Sequence, residues 1–186
     1  MCVIDRPGTS KRPKARDEIR TDRLILRPPE AGDVEAITRL AGDYAIASMT
    51  TRMPHPYAEA DARHFVDLVA RQDPGRERTF VIERQGEGVI GCLGFHRTPE
   101  APLEIGYWLG RPHWSRGYAT EAVGAALGWA SADWGRKAII SGHFADNAPS
   151  ANVLIKSGFL YTGEVQMRHS RARGEAAPTR MMVWLA

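Results

Sequence analysis

The sequence predicts a single α/β domain built on a mixed sheet, and three observations support this prediction. Its 186 residues match the length of one domain. The hydrophobic fraction of 43% and the charged fraction of 25% are ordinary for a globular protein, which excludes disordered, collagen-like and disulfide-scaffold chains. The hydrophobic period switches repeatedly between helical and strand spacing and gives the order β α α β β β α β α β β, which is typical of mixed α/β layers.

The first part of the chain is predicted to hold a tail, one strand and two helices. Residues 1–19 are rich in proline and charge, so we expect a flexible tail before a domain over residues 20–186. Leu24–Arg27 has the composition of a strand and is stopped by two prolines. Apolar residues at helical spacing predict the two helices, at 31–42 and from about 62 to 73, with an irregular segment at 43–57 between them.

The middle of the chain changes to a strand pattern and then returns to a helix. Three β-rich runs predict an antiparallel meander: Thr79–Glu83, Val89–His96 and Glu104–Leu109. Helical spacing resumes in the segment that follows, where apolar residues from Val123 to Trp134 share one face and a glycine then ends the helix.

The last part of the chain predicts a strand, a helix and a closing pair of strands. Ala138–Phe144 is the strand, and Pro149–Lys156 is a helix with Asn147 as its N-cap. The closing strands, Phe159–Val165 and Arg180–Leu185, enclose a loop that we expect to be solvated and mobile. The alternative is that basic residues of this loop recognise an acidic acceptor: Arg168, His169, Arg171 and Arg173.

The charge distribution gives no support to a nucleic-acid partner. The chain carries a net charge of +3, from 25 Lys and Arg against 22 Asp and Glu. Residues 1–20 hold six of these bases and three of these acids, which leaves 19 of each sign in residues 21–186. A nucleic-acid-binding domain is expected to carry a basic face on its folded part, and here the excess lies in the tail.

Cysteines, histidines and apolar runs exclude several other classes. Two cysteines cannot form a disulfide framework, and the six histidines show no paired spacing for a metal, so we expect no metal. Cys92 lies in a hydrophobic strand and is predicted to be a buried, inert thiol. No apolar run is long enough to span a membrane and the N-terminus has no apolar h-region, so we expect no membrane partner and a cytoplasmic protein.

The turn before the third predicted helix has the features of an anion site. Small residues at Gly117 and Ala119 allow a ligand to approach the backbone closely. The first N–H groups of a helix are unpaired and carry the positive end of its dipole, which suits a phosphate or pyrophosphate. The alternative is a tight turn with no ligand. The Walker A and Rossmann glycine patterns are both missing.

Four segments together resemble the GNAT superfamily of acetyl-CoA-dependent N-acetyltransferases, and most of all its ribosomal-protein-alanine acetyltransferase branch. They occur in that family's order and spacing and cover about residues 20–186: Thr21–Arg27, Glu104–Leu109, Arg116–Thr120 and Asn147–Phe159. The resemblance implies a mostly antiparallel central sheet with one splayed strand pair, flanked by about four helices. It also implies acetyl-CoA as co-substrate and a primary amine as acceptor.

The resemblance further implies which residues hold the cofactor. Free backbone groups of the strand at Tyr107, Trp108 and Leu109 would pair with the pantetheine arm. The pyrophosphate would lie on the N–H groups of Arg116, Gly117, Tyr118, Ala119 and Thr120. Asn147 and Ser150 would face the cofactor near the thioester, and Lys156 is either a phosphate contact or a solvated lysine. The family usually has Gln or Arg where this chain has Trp114, so this site depends more on backbone donors.

The chemistry requires a base, an oxyanion donor and an acid. An amine with a pKa of about 8–10 must lose a proton before it attacks the thioester, and the departing thiolate benefits from a proton donor. Glu104 is the candidate base, directly or through a water; the alternative is a surface carboxylate at a strand end. Many relatives have a tyrosine acid where this chain has Leu154. Ser150 is therefore the first candidate acid and Tyr107 the second, although Ser150 could simply be a polar first-turn residue.

The sequence does not decide which acceptor is used, which oligomer forms or whether the protein is catalytically active. The branch suggests a protein N-terminus, and a small-molecule amine is the main enzymatic alternative. Because Leu154 cannot act as an acid, the chain could instead be a non-catalytic acyl-CoA-binding regulator. A homodimer is compatible with the sequence but is not indicated by it.

Overall fold

A computed structural model of the chain describes residues 18–97 and 102–186, and its centre is one eight-stranded sheet. The strands, in chain order, are β1 (Ile19–Arg20), β2 (Leu24–Arg27), β3 (Arg78–Arg84), β4 (Gly88–His96), β5 (Glu104–Leu109), β6 (Ala138–Phe144), β7 (Leu160–Ser170) and β8 (Glu175–Leu185). In space they follow the order β1-β2-β3-β4-β5-β6-β8-β7. Every neighbouring pair is antiparallel except β5 and β6, which are parallel.

The helices cover both faces of this sheet. In the described part of the chain they are α1 (Val34–Ala41), α2 (Tyr44–Ala47), α3 (Glu59–Ala70), α4 (Tyr118–Ala132) and α5 (Ala148–Lys156). Helices α1 and α3 pack on one face and α4 and α5 on the other, so two hydrophobic clusters form. The period-2 alternation of strand side chains produces this division. In β3, for example, Phe80 and Ile82 enter the α4 cluster, whereas Val81 enters the α1–α3 cluster.

The predicted mixed α/β fold is confirmed, with three differences along the chain. The short strand β1 begins at Ile19, inside the segment expected to be a tail, and pairs with β2. The segment 43–57, expected to be irregular, contains α2, whose first turn is capped by the Asp43 carboxylate accepting the Ala45 N–H at 2.9 Å. The closing strands are also longer than predicted. Arg168 and His169 therefore lie in β7 and not in a mobile loop, because the β7–β8 ladder continues as far as Ser170 and Glu175.

The predicted tail falls largely outside the described residues, which begin at residue 18. Ile19, the last residue of that segment, pairs with Leu26 between β1 and β2 and is buried. No helix in residues 18–97 or 102–186 combines the length and apolar character needed to cross a bilayer.

Candidate active site

The sheet opens between β5 and β6. These strands pair only where Glu104 meets Ile140, and the Ser141 hydroxyl adds one bond to the Ile105 carbonyl at 2.9 Å. Beyond this point the strands diverge, as the resemblance implied. A cleft of about 1350 Å³ passes through the opening, with β5 residues including Trp108 and Leu109 on one side and α5 residues on the other.

The register of β5 leaves peptide groups facing the opening. Gly110 donates its N–H to the Ile90 carbonyl at 2.8 Å, so alternate residues of β5 bond to β4 and the intervening ones face β6. Tyr107 and Leu109 belong to the second set. The Trp114 indole donates to the Leu109 carbonyl at 2.7 Å. The Tyr107 N–H and C=O and the Leu109 N–H have no partner among the described residues, which suits a ligand that pairs like a strand.

The turn that leads into α4 presents a row of backbone donors. Ser115 and Gly117 both adopt left-handed conformations, with φ of 59° and 80°. The first bond of the helix runs from the Glu121 N–H to the Gly117 carbonyl at 3.0 Å. The backbone N–H groups of residues 116–120 have no hydrogen-bond acceptor among the described residues. Consecutive free N–H groups before a helix form an anion site.

The first strand motif holds this turn in place. Glu121, in the first turn of α4, accepts bonds from the Thr21 hydroxyl and the Arg23 guanidinium, both at 2.6 Å. Arg23 also donates to the Arg116 carbonyl at 3.1 Å. Burial alone would raise the pKa of Glu121, but these bonds outweigh it and lower the pKa below its usual value. Arg23 and Glu121 neutralise each other, so the attraction of the turn for an anion comes mainly from its N–H groups.

Most of the remaining residues predicted to bind the cofactor line the cleft, but one of them does not. Tyr118, Ala119, Thr120 and Lys156 line the cleft. Arg116 is exposed and is not among the residues that line it, so its side chain contributes only from outside.

The structure brings the two candidate acids together. The Tyr107 hydroxyl lies 3.0 Å from the Ser150 hydroxyl and donates to the Ser150 carbonyl at 3.2 Å. Asn147 caps α5 as predicted, because its side-chain oxygen accepts the Ser150 N–H at 3.1 Å. Burial, only partly offset by the bond to Ser150, raises the pKa of Tyr107 to about 12. Tyr107 is therefore a hydrogen-bond donor at neutral pH.

Leu154, at the position where many relatives are implied to have a tyrosine, is fully buried in the α4 cluster. It faces the core and does not line the cleft. A side chain at position 154 therefore points away from the cleft and could not act as a proton donor there. Tyr107 of β5 instead contacts Ser150, one turn earlier in α5.

Glu104 lies in the cleft but is not a free carboxylate. It accepts a bond from Arg168 of β7 at 2.5 Å, and both side chains are mostly buried. A chain of bonds along β7 orients this arginine: Arg168 donates to Gln166 at 3.0 Å, and Gln166 donates to Glu164 at 2.8 Å. Nothing in the sequence indicates this pairing, because the sequence predicts that Arg168 lies in a loop.

His96 is a second cleft residue that sequence reasoning missed. It is the cross-strand partner of Glu104 in the β4–β5 ladder and lines the same cleft. Burial, reinforced by the positive charge of Arg52, lowers the pKa of His96 below its usual value. Its ring is therefore neutral at pH 7 and able to accept a proton. Its place opposite Glu104 in the predicted meander is the signal that could have found it.

The other groups relevant to chemistry are the Cys92 thiol and the side chains that could hold a metal ion in the described part of the chain. Cys92 is buried, and burial together with the nearby charge of Asp33 raises the pKa of its thiol far above the usual value. The predicted burial of this thiol is confirmed, and a buried thiol with a raised pKa is a poor nucleophile. No group of three or more His, Cys, Asp or Glu side chains in residues 18–97 and 102–186 is arranged to hold a metal ion.

Comparison with known sequences gives a consistent set of relatives. Residues 23–160 match the acetyltransferase (GNAT) domain family. The chain is 26% identical over 158 residues to the uncharacterized N-acetyltransferase p20 of Bacillus licheniformis, covering 83% of this chain and 88% of that protein. It is 30% identical over 148 residues to the uncharacterized N-acetyltransferase YnaD of Bacillus subtilis, covering 78% and 84%.

Comparison with solved structures gives the same fold. A GNAT-family acetyltransferase from Bacillus anthracis matches with a TM-score of 0.76 and 25% identity, over 90% of this chain and 98% of that one. Mycobacterium smegmatis RimJ in complex with CoA-disulfide matches with a TM-score of 0.76 and 24% identity, over 88% and 82%. Spermidine N-acetyltransferase from Vibrio cholerae in complex with CoA and spermine matches with a TM-score of 0.74 and 20% identity, over 89% and 96%.

Proposed function

Because this chain belongs to the GNAT family of acetyltransferases, we propose that it moves the acetyl group of acetyl-CoA to a primary amine by direct transfer in a ternary complex. Membership of the family makes it an acetyl-CoA-dependent acyltransferase. The observation that carries the proposal is the continuous path from the N–H groups of 116–120, along the unpaired edge of β5, to Glu104. Such a path would hold an extended thioester with its reactive end beside a carboxylate.

The cofactor half of the site would act mainly through the backbone. The N–H groups of residues 116–120 would hold the pyrophosphate, with Lys156 beside it in the cleft. The peptide groups of Tyr107 and Leu109 would pair with the pantetheine amides. Asn147 would act indirectly, because its side-chain oxygen is committed to capping α5. Positioning of this kind supplies much of the rate of a direct transfer.

Glu104 is the proposed base. It would take a proton from the acceptor ammonium, directly or through a water, before the nitrogen attacks the carbonyl carbon. Arg168 keeps its carboxylate oriented, and His96 on the adjacent strand is a second group able to accept the proton. The N–H groups of β5 that face the opening are the donors available to the carbonyl oxygen as it becomes an oxyanion.

Tyr107 and Ser150 would stabilise the departing thiolate. A thiol has a pKa of about 8.5, well below the value of about 12 for Tyr107, so full proton transfer from the phenol to the thiolate is unfavourable. A hydrogen bond from this hydroxyl pair lowers the barrier without that transfer. The proton lost by the amine can then reach the thiolate through water.

The acceptor is proposed only as a class. The matched structures include RimJ, whose branch suggested a protein N-terminus, and a spermidine N-acetyltransferase, which favours small amines. Their identities to this chain, 24% and 20%, are too low to transfer either substrate.

Initial-rate kinetics test the proposal. Acetyl-CoA and an amine found active in a screen are varied against each other, and direct transfer in a ternary complex predicts intersecting double-reciprocal lines. Parallel lines, together with an acetyl group trapped on the protein in the absence of amine, would contradict it, because they indicate a covalent intermediate. The buried Cys92 thiol agrees with the first outcome.

A further inference from the structure

One wall of the acceptor half of the cleft is a bridge between two distant segments. The tip of the β7–β8 hairpin, residues 170–174, bonds to the loop at 48–52. Ser170 donates its hydroxyl to the Thr50 carbonyl at 2.9 Å, and the Arg171 N–H donates to the Thr51 carbonyl at 3.0 Å. Arg173 donates to the Ser48 carbonyl at 2.5 Å. These bonds hold the bridge in one conformation although about 120 residues separate its two halves.

The bridge places two exposed arginines at the edge of the cleft. Arg52 and Arg171, called here the rim arginines, both line it, and Arg171 donates from its side chain to the Arg52 carbonyl at 3.4 Å. Arg52 lines the same cleft as His96 and Glu104, which are cross-strand partners, and its positive charge helps to lower the pKa of His96.

The rim arginines differ from Arg168 and Arg173 nearby, because each of those two has a carboxylate partner. Arg168 pairs with Glu104 at 2.5 Å and Arg173 with Asp146 at 2.9 Å. Among the described residues neither rim arginine forms an ion pair with a carboxylate. Both rim arginines are exposed, so their guanidinium groups can meet a ligand at the mouth of the cleft, and guanidinium groups bind carboxylates well.

We propose that the rim arginines select an acceptor amine that also carries a carboxylate, and that they bind that carboxylate while the amine lies at Glu104. This inference rests on the proposed function. A carboxylate fits better than a phosphate, because Glu77 and Asp61 also line this half of the cleft and would repel a dianion more strongly. The same two acids, with Glu104, can attract the ammonium end, so the site suits a molecule with both charges.

The carboxylate could belong to a free amino acid or to an acidic residue near a peptide N-terminus, and two substrate series distinguish these sources. The first compares L-alanine with L-alaninamide, and the second compares peptides with Glu or Gln at their second position. We expect kcat/KM to favour the carboxylate member of one series about tenfold at low ionic strength, and this preference to fall as salt rises.

Matched variants then test the residues. In Arg52→Gln/Arg171→Gln the preference should fall close to one, whereas Arg52→Lys/Arg171→Lys should keep part of it, because the charge remains. The control Arg71→Gln/Arg76→Gln changes two exposed arginines outside the cleft lining, removes the same number of charges elsewhere and should keep the full preference. Acetyl transfer with no preference in either series, or a preference that survives the double glutamine variant, would overturn this inference alone. Acetyl-CoA binding with no transfer to any amine would overturn the proposed function as well.

Discussion

At the scale of single residues, the candidate catalytic groups lie along one cleft. The Tyr107 hydroxyl lies 3.0 Å from the Ser150 hydroxyl, and Glu104 lines the same cleft. The partner of Glu104 was not predictable. Arg168 lies 64 residues away along the chain, and only the register of β7 brings it within 2.5 Å.

The Tyr107–Ser150 contact leads to a prediction about catalysis. Tyr107→Phe and Ser150→Ala each remove one hydroxyl, and we expect each to lower kcat by about 10- to 100-fold with little change in KM for acetyl-CoA. The double variant should lose little more than the worse single variant, because the two hydroxyls act as one unit. Steady-state rates of the three variants measure this. Losses that multiply would show that the two hydroxyls act independently.

Leu154 leads to a prediction about stability. Leu154→Tyr, which restores the residue of many relatives, would insert a larger side chain and a hydroxyl into a fully buried position. We expect a loss of about 1–3 kcal/mol in the free energy of unfolding and no gain in kcat. Urea unfolding and steady-state rates measure both quantities. A variant as stable as the parent and faster would contradict the assignment of this position to the core.

At the scale of elements, the sequence located the helices and strands better than it located their ends. Helix α5 matched closely because Asn147 is a strong cap signal, and β5 matched its predicted bounds because Gly110 and Pro112 follow it. The β7–β8 hairpin was predicted too short. Its residues are mostly exposed, and Pro178 lies within the second strand, where a proline argues against a strand, so the sequence pattern did not indicate pairing. The bridge to residues 48–52 was hidden for the same reason.

The turn before α4 gives a prediction at this scale. Gly117→Ala places a Cβ on a residue with φ of 80°, which a side chain adopts only with strain. Because the turn would rearrange, we expect the Kd for acetyl-CoA to rise about tenfold or more while kcat at saturation changes less. Calorimetric titration measures the Kd. Gly163→Ala, which also has positive φ but lies in β7 away from the cleft lining, is the control, and an equal effect there would contradict the role of the turn.

At the scale of the whole molecule, the order of strands and helices predicted the architecture. This order depends on the change of hydrophobic period between elements, which stays visible even where the ends of an element are misplaced by a few residues. The opening between β5 and β6 was implied only by family resemblance. No local pattern in either strand marks it, since it depends on where two strands stop pairing.

One mostly buried ion pair, between Arg27 and Asp33, predicts that the fold loses stability in acid. Arg27 of β2 forms two bonds of 2.8 Å to Asp33, ahead of α1. Burial alone would raise the pKa of Asp33, but these bonds, the Glu30 N–H and the charge of Arg27 outweigh it and lower the pKa. A lowered pKa in the folded state adds stability at pH values above the unfolded value, and this stability is lost as the pH falls below about 4.

Asp33→Asn should therefore destabilise the protein at pH 7, and the difference from the parent should shrink as the pH falls below about 4. Urea unfolding of both proteins across this range measures the difference. If the difference in the free energy of unfolding stays constant with pH, the charge of Asp33 does not stabilise the fold, and this result would contradict the prediction.

The central claim is that the opening in the sheet holds acetyl-CoA for attack by an amine, and the release of CoA thiol in the presence of pooled amines and peptides tests it most directly. We expect thiol release that requires an acceptor and equals the N-acetylated product formed, and that falls by about 100-fold or more in Glu104→Gln although acetyl-CoA still binds. Binding of acetyl-CoA without thiol release for any acceptor would contradict the claim and would favour the acyl-CoA-binding regulator.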